Sequence, residues 1–173
     1  MQKPREEDML TPMVIAGLTV DPLTNSPIVI LKEIQGERTL PIWIGLLEAT
    51  AIASELEGIK FSRPMTHDLL RNIMSMVDVK VNKVEVCDLK NNTYFALIHV
   101  SHKGKEMSID ARPSDALAIS LRMGAPIFVA DEVISKSAQI DLKAEPEDKS
   151  EQGRKWQDIL EKLNPEDFGK YKM

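Results

Sequence analysis

The strongest constraint on how this chain can fold is a repeat within it. At a constant separation of 67 residues, the distance from Glu48 to Asp115, the second half of the sequence falls on the first without a gap. Val14 meets Val81, Asp21 meets Asp88, Asn25 meets Asn92, Ile42 meets Ile109, and Ile30-Leu31 meet Leu97-Ile98. The match runs on into Glu48-Ala49-Thr50-Ala51-Ile52-Ala53, which falls on Asp115-Ala116-Leu117-Ala118-Ile119-Ser120. A duplicated chain places one local structure twice and buries both copies against a shared core. Any two amphipathic strand-helix units also share apolar positions, so coincidence is the competing explanation.

Each copy reads as three strands and a helix. β-branched and aliphatic runs at 13–20, 28–34 and 39–44 are punctuated by Asp21-Pro22, Asn25-Ser26 and Gln35-Gly36, the residues that favour turns. The alanine-rich stretch 45–56 then carries apolar residues at helical spacing, with Gly58 just beyond it. The second copy gives strands at 79–89, 93–101 and 106–111, then a helix from Pro113, suited to a first turn, to Met123 before Gly124. Between the copies a further helix is predicted from Thr66 to about residue 77, with Thr66 as its cap and Asp68 in the first turn. A last strand is predicted at 126–129. The whole predicts an α+β fold on a mixed β-sheet.

Residues 9–134 are expected to form one domain. From Ser135 the sequence becomes polar and charged, which reads as a linker over 135–150, followed by a helical tail over 151–173. In the tail, Trp156, Ile159, Leu160 and Leu163 share one helical stripe. No apolar run approaches the roughly 18 residues a membrane span needs, and the charged N-terminus leads into no secretory hydrophobic segment. The expectation is a cytoplasmic protein. A single cysteine, Cys87, excludes an internal disulfide and a thiolate zinc site, and its place in a strand predicts a small buried hydrophobe. Many strands on a modest chain leave edges to be covered, so a homo-oligomer, most simply a dimer, is expected. The net charge of -5 offers no general attraction to phosphate backbones, so contact with nucleic acid must be local or metal-mediated.

Three blocks carry a resemblance to a known family: Leu40-Pro41-Ile42-Trp43-Ile44-Gly45 with Glu48-Ala49; Arg63-Pro64-Met65-Thr66-His67-Asp68-Leu69-Leu70; and Ile109-Asp110-Ala111-Arg112-Pro113-Ser114-Asp115-Ala116. Together with Arg122 and Pro126-Ile127-Phe128-Val129, they resemble the signature of the bifunctional nuclease domain of small bacterial and plant proteins. The segment after Glu151 does not resemble the helical UvrB/UvrC-like motif that often follows in that family. The resemblance implies a hydrolase acting as DNase and RNase with broad specificity.

Phosphodiester hydrolysis needs an activated water, charge stabilisation at phosphoryl oxygens and help for the leaving oxygen. Glu48, Asp110 and Asp115 are the candidate catalytic carboxylates and the candidate ligands for Mg²⁺ or Mn²⁺, hard cations that suit oxygen donors. His67 is the candidate general acid or base. Arg63, Arg112 and Arg122 are the candidate binders of the DNA or RNA phosphates. Structural roles compete for each. Asp68 and Asp115 suit helix N-termini, Arg63 and Arg112 can pair with Asp110 or Glu48, and His67 can simply occupy a first helical turn. The rival to a nuclease is a non-catalytic oligomeric module that binds an anionic ligand or a protein partner through the same polar cleft. A purely structural assembly protein is a third reading.

Overall fold

A computed structural model of the chain describes residues 9–138; the predicted C-terminal helix lies outside the described residues, as does the linker after Ala138. Seven strands and four helices follow in the order β1 (Leu10–Val20), β2 (Pro27–Glu33), β3 (Thr39–Trp43), α1 (Leu46–Leu56), α2 (Thr66–Met76), β4 (Lys80–Lys90), β5 (Thr93–His102), β6 (Lys105–Ala111), α3 (Pro113–Met123), β7 (Ile127–Ala130) and α4 (Asp131–Ser137). The strands form one mixed sheet in the order β3-β2-β1-β7-β4-β5-β6. Strand β7 lies between the two halves, antiparallel to β1 and parallel to β4. The fold is α+β, as the residue pattern predicts.

The hairpin turns follow from their residues. Asn91 and Asn92 both have positive φ, as do Lys103 and Gly104, the left-handed pairs that let two-residue hairpins match the twist of their strands. The first hairpin has a longer turn, held by the buried Asp21. Its carboxylate accepts from the Leu23 N–H at 2.9 Å and the Trp43 indole N–H at 3.1 Å, tying the turn to the end of β3. Bulges in β1 between Ile15 and Gly17, and in β4 between Val81 and Lys83, bend the sheet. The sheet curls enough that Tyr94 on β5 donates its hydroxyl to the Pro41 carbonyl on β3 at 3.2 Å.

Helix α3 is central to the packing. Ala116, Leu117, Ala118, Ile119 and Ser120 are all buried, because α3 packs against α1, α2, β4 and β5 at once. Small residues at Ala116, Ala118 and Ser120 allow this close approach, while Leu117 and Ile119 fill the core with Val29, Leu31, Val84 and Val129. Each such large aliphatic side chain contributes about 1.5–3 kcal/mol of burial. The helix ends at Gly124, whose φ of 65 gives the left-handed exit.

The units β1-β2-β3-α1 and β4-β5-β6-α3 repeat one element order on either side of β7, but the gapless offset does not survive in their pairing. Leu97 faces Asp110, whereas Ile30, its counterpart, faces Pro41 and not Trp43. The longer β2–β3 connection shifts the register by two residues, which keeps faces but not partners. The outcomes diverge too: Ile42 is 2% exposed and Ile109 is 47% exposed. Duplication remains a proposal about origin.

Three local expectations change. The cap of α2 is Met65, not Thr66, and the Asp68 carboxylate accepts from the Met65 N–H at 3.0 Å. Helix α4 continues to Ser137, past the start of the segment read as a linker. Cys87 is half-buried, with its thiol directed to the Phe95 carbonyl.

Candidate functional site

Three helices begin around one cleft. The third residue of each is acidic: Glu48 on α1, Asp68 on α2 and Asp115 on α3. Partial positive charge at helix N-termini favours carboxylates there. The same field favours a phosphate oxygen.

Glu48 and Asp115 are joined through Arg112, the N-cap residue of α3. Arg112 Nη1 donates to Glu48 Oε1 at 2.8 Å, while Nε and Nη2 donate to Asp115 Oδ2 and Oδ1 at 2.7 and 3.2 Å. Asp115 Oδ1 also lies 2.9 Å from His67 Nε2. Burial alone pushes the Asp115 carboxyl up, but the bonds from Arg112 and His67 reverse this and hold it below its ordinary value of 3.8. An ionised Asp115 accepts the Nε2–H of His67 and leaves a lone pair on Nδ1, the arrangement of a base oriented by a carboxylate.

Glu48, His67, Arg112 and Asp115 line a cleft of about 400 Å³ with an apolar wall that includes Leu47, Phe61 and Met65. A second hollow of about 260 Å³ lies beside Trp43, Tyr94 and Ser114. Glu48 and Arg112 line both, so their ion pair is the partition between them.

Two turns beyond Asp115 on α3, Arg122 has a different environment. Its side chain is 2% exposed. Nε donates to Asp68 Oδ1 at 2.8 Å, and Nη1 donates to the carbonyls of Ala51 and Ala118 at 2.9 and 3.0 Å. Arg122 therefore pins α1, α2 and α3 together, and its expected role as a phosphate binder gives way to a structural one. For the Asp68 carboxyl, burial pushes up, while Arg122 and the Met65 N–H pull further down, leaving it below 3.8.

The structure thus brings together Glu48, His67, Arg112 and Asp115. It does not bring Asp110 to them. Ile109 is paired with Ile98, on the core face, so its neighbour Asp110 points from the opposite face, with Ser108 and His99. Arg63 stands exposed on the connection between α1 and α2, close in sequence to the cleft residues Phe61 and Met65. The residue pattern alone missed Gly45. The Glu48 carboxylate folds back over it, with Oε2 only 2.2 Å from where a Cβ would stand.

The metal set expected from sequence, Glu48, Asp110 and Asp115, does not assemble. Among the described residues no group of three or more His, Cys, Asp or Glu side chains is placed to hold a metal ion. Glu48 and Asp115 are both bonded to the Arg112 cation, which already balances their charge.

The profile of the bifunctional nuclease domain matches residues 29–142, a span that holds the whole cleft. The chain belongs to that family. An uncharacterized protein of Mycobacterium tuberculosis is 34% identical over 159 residues, covering 89% of this chain and 95% of that protein. Bifunctional nuclease 2 of Arabidopsis thaliana is 27% identical over 108 residues, 61% of this chain and 33% of its own length. Bifunctional nuclease 1 of Oryza sativa subsp. japonica is 24% identical over 112 residues, 63% of this chain and 34% of its own. The chain thus spans about a third of those two plant proteins.

Proposed function

We propose that the cleft at the N-termini of α1, α2 and α3 hydrolyses phosphodiester bonds of DNA and RNA, a reading supported by the family and by the names of its plant members. The observation that carries it is the His67–Asp115 pair, at 2.9 Å, held beside the Arg112 guanidinium. In this reading His67 Nδ1 takes a proton from water as its oxygen bonds to phosphorus. The imidazolium then gives that proton to the departing oxygen. Arg112, together with the exposed Arg63, neutralises the non-bridging oxygens.

The test is cleavage of single-stranded DNA and RNA by the full chain and by His67→Ala purified in parallel. The substitution is expected to lower the rate by roughly 10² to 10⁴. An unchanged rate would overturn the assignment and mark the activity as a contaminant or as belonging elsewhere on the molecule.

One observation favours a second reading. Two carboxylates hold the Arg112 side chain in place while 66% of it stays exposed, a preset polar contact on which an anionic ligand or a protein partner can dock without turnover. Oligonucleotide binding without cleavage, weakened by Arg112→Gln, would select it.

A further inference from the structure

Helix α2 carries its apolar residues outward. Leu69, Leu70, Ile73, Met76 and Val77 are between 41% and 83% exposed, while only Met74 of this helix is buried. Their positions, stepping by three and four, form one stripe along α2 and its C-cap. The stripe continues onto the sheet. His102 at the end of β5 donates its Nδ1–H to the Asp78 carbonyl at 3.4 Å, which sets the C-terminal end of α2 beside the β5–β6 hairpin. On β6, Met107 and Ile109 pair with the buried Val100 and Ile98, so they lie on the core face of the sheet, yet both are 47% exposed. An edge strand with uncovered apolar side chains beside a helix with its apolar face outward is the pattern of an interface.

We infer that this face is the two-fold interface between two copies of this chain. The area is of the right order: seven large apolar residues, each between 41% and 83% exposed, can supply most of the ~800 Å² per partner of a standard interface. The chemistry favours a like partner. Within α2 the charged residues are turned elsewhere, Asp68 to Arg122 and Arg71 to Asn72, so no charge on the stripe selects an unlike surface. A membrane-binding helix would carry Lys or Arg along its polar face, and α2 has Arg71 alone. An isologous contact needs a self-complementary patch. Antiparallel packing of α2 on its copy about Ile73 meets this need, setting Leu69 and Leu70 against Met76 and Val77 with the helix dipoles opposed.

The experiment is sedimentation of the full chain at micromolar concentration. The wild type is expected to be a dimer, Ile73→Asp a monomer with unchanged circular dichroism, and Leu23→Asp, at an exposed apolar residue on the first hairpin turn, still a dimer. Should Ile73→Asp fail to fold, Ile73→Cys in a Cys87→Ser background decides the matter. Oxidation should crosslink that variant into dimers, and Leu23→Cys in the same background should stay uncrosslinked. A monomeric wild type, a dimer that survives Ile73→Asp, or failure of Ile73→Cys to crosslink would overturn the proposal. The first of these outcomes would give the face to another segment of the chain or to an unlike partner.

Discussion

Glu48 and Asp115 stand at the same step of two different helices, the third residue of α1 and of α3, and one guanidinium bridges them. The cluster is thus two carboxylates balanced on a single cation. Removing that cation leaves two anions without their partner.

Arg112→Gln is expected to lower cleavage by roughly 10²-fold, through lost stabilisation of phosphoryl charge, with a stability cost of only about 1 kcal/mol, because Arg112 is largely exposed. The same variant should gain affinity for Mn²⁺, since Glu48 and Asp115 become free to bind a hard cation. Isothermal titration of both proteins with Mn²⁺ checks this. Equal affinity would mean that the guanidinium does not control access to the carboxylates.

Gly45→Ala tests positioning without replacing a charged group. Gly45 has an ordinary φ of -75, so the backbone accepts alanine. Its new methyl would displace Glu48 Oε2. Cleavage should fall by roughly 10- to 10²-fold while the thermal midpoint hardly moves, as misplacement of a site group costs rate rather than fold. An unchanged rate would show that the Glu48 carboxylate does not hold Arg112 in place for cleavage.

Arg122→Ala should be among the most damaging single changes. It leaves Asp68 and the Ala51 carbonyl without their buried donor, and breaking such a pair costs about 3 kcal/mol. Urea unfolding measures it, with Arg122→Lys expected to recover part of the loss. A midpoint equal to the wild type would show that α1, α2 and α3 do not depend on this pin.

Stability should also report on Asp68 and Asp115. Both carboxyls are held below their ordinary value of 3.8 in the folded chain. The unfolded chain therefore binds protons first as pH falls. Their contribution is fully present above the unfolded value and is lost as pH drops from near 4 through the lower folded values. Urea midpoints measured between pH 6 and pH 2.5 should fall in that window, and less steeply in Asp68→Asn. A parallel fall in that variant would assign the acid sensitivity to other groups.

Much of the fold was legible because strand and helix periods differ, and most segments here keep one period from turn to turn. Helix α3 was readable to the residue, with Pro113 at its start and Gly124 at its exit. Helix α4 was hidden because seven residues between a strand and a polar stretch give too few turns for a period to show. The site was half legible. His67, Arg112, Asp115 and Glu48 all lie at helix starts, where the pattern placed them. Asp110 was misjudged although alternation carried the answer: Ile109 on the core face sends its neighbour to the other side. Arg122 could not be assigned from sequence, because the fate of an arginine on a helix depends on what packs over it.

The partition made by Glu48 and Arg112 is an ion pair rather than backbone, and the Arg112 side chain is 66% exposed. Its hold must weaken as dissolved ions screen it, over a Debye length of about 10 Å at 0.1 M salt and about 3 Å at 1 M. Raising the salt should loosen this divider between the two hollows without dissolving it, because its 2.8 Å contact is shorter than either screening length.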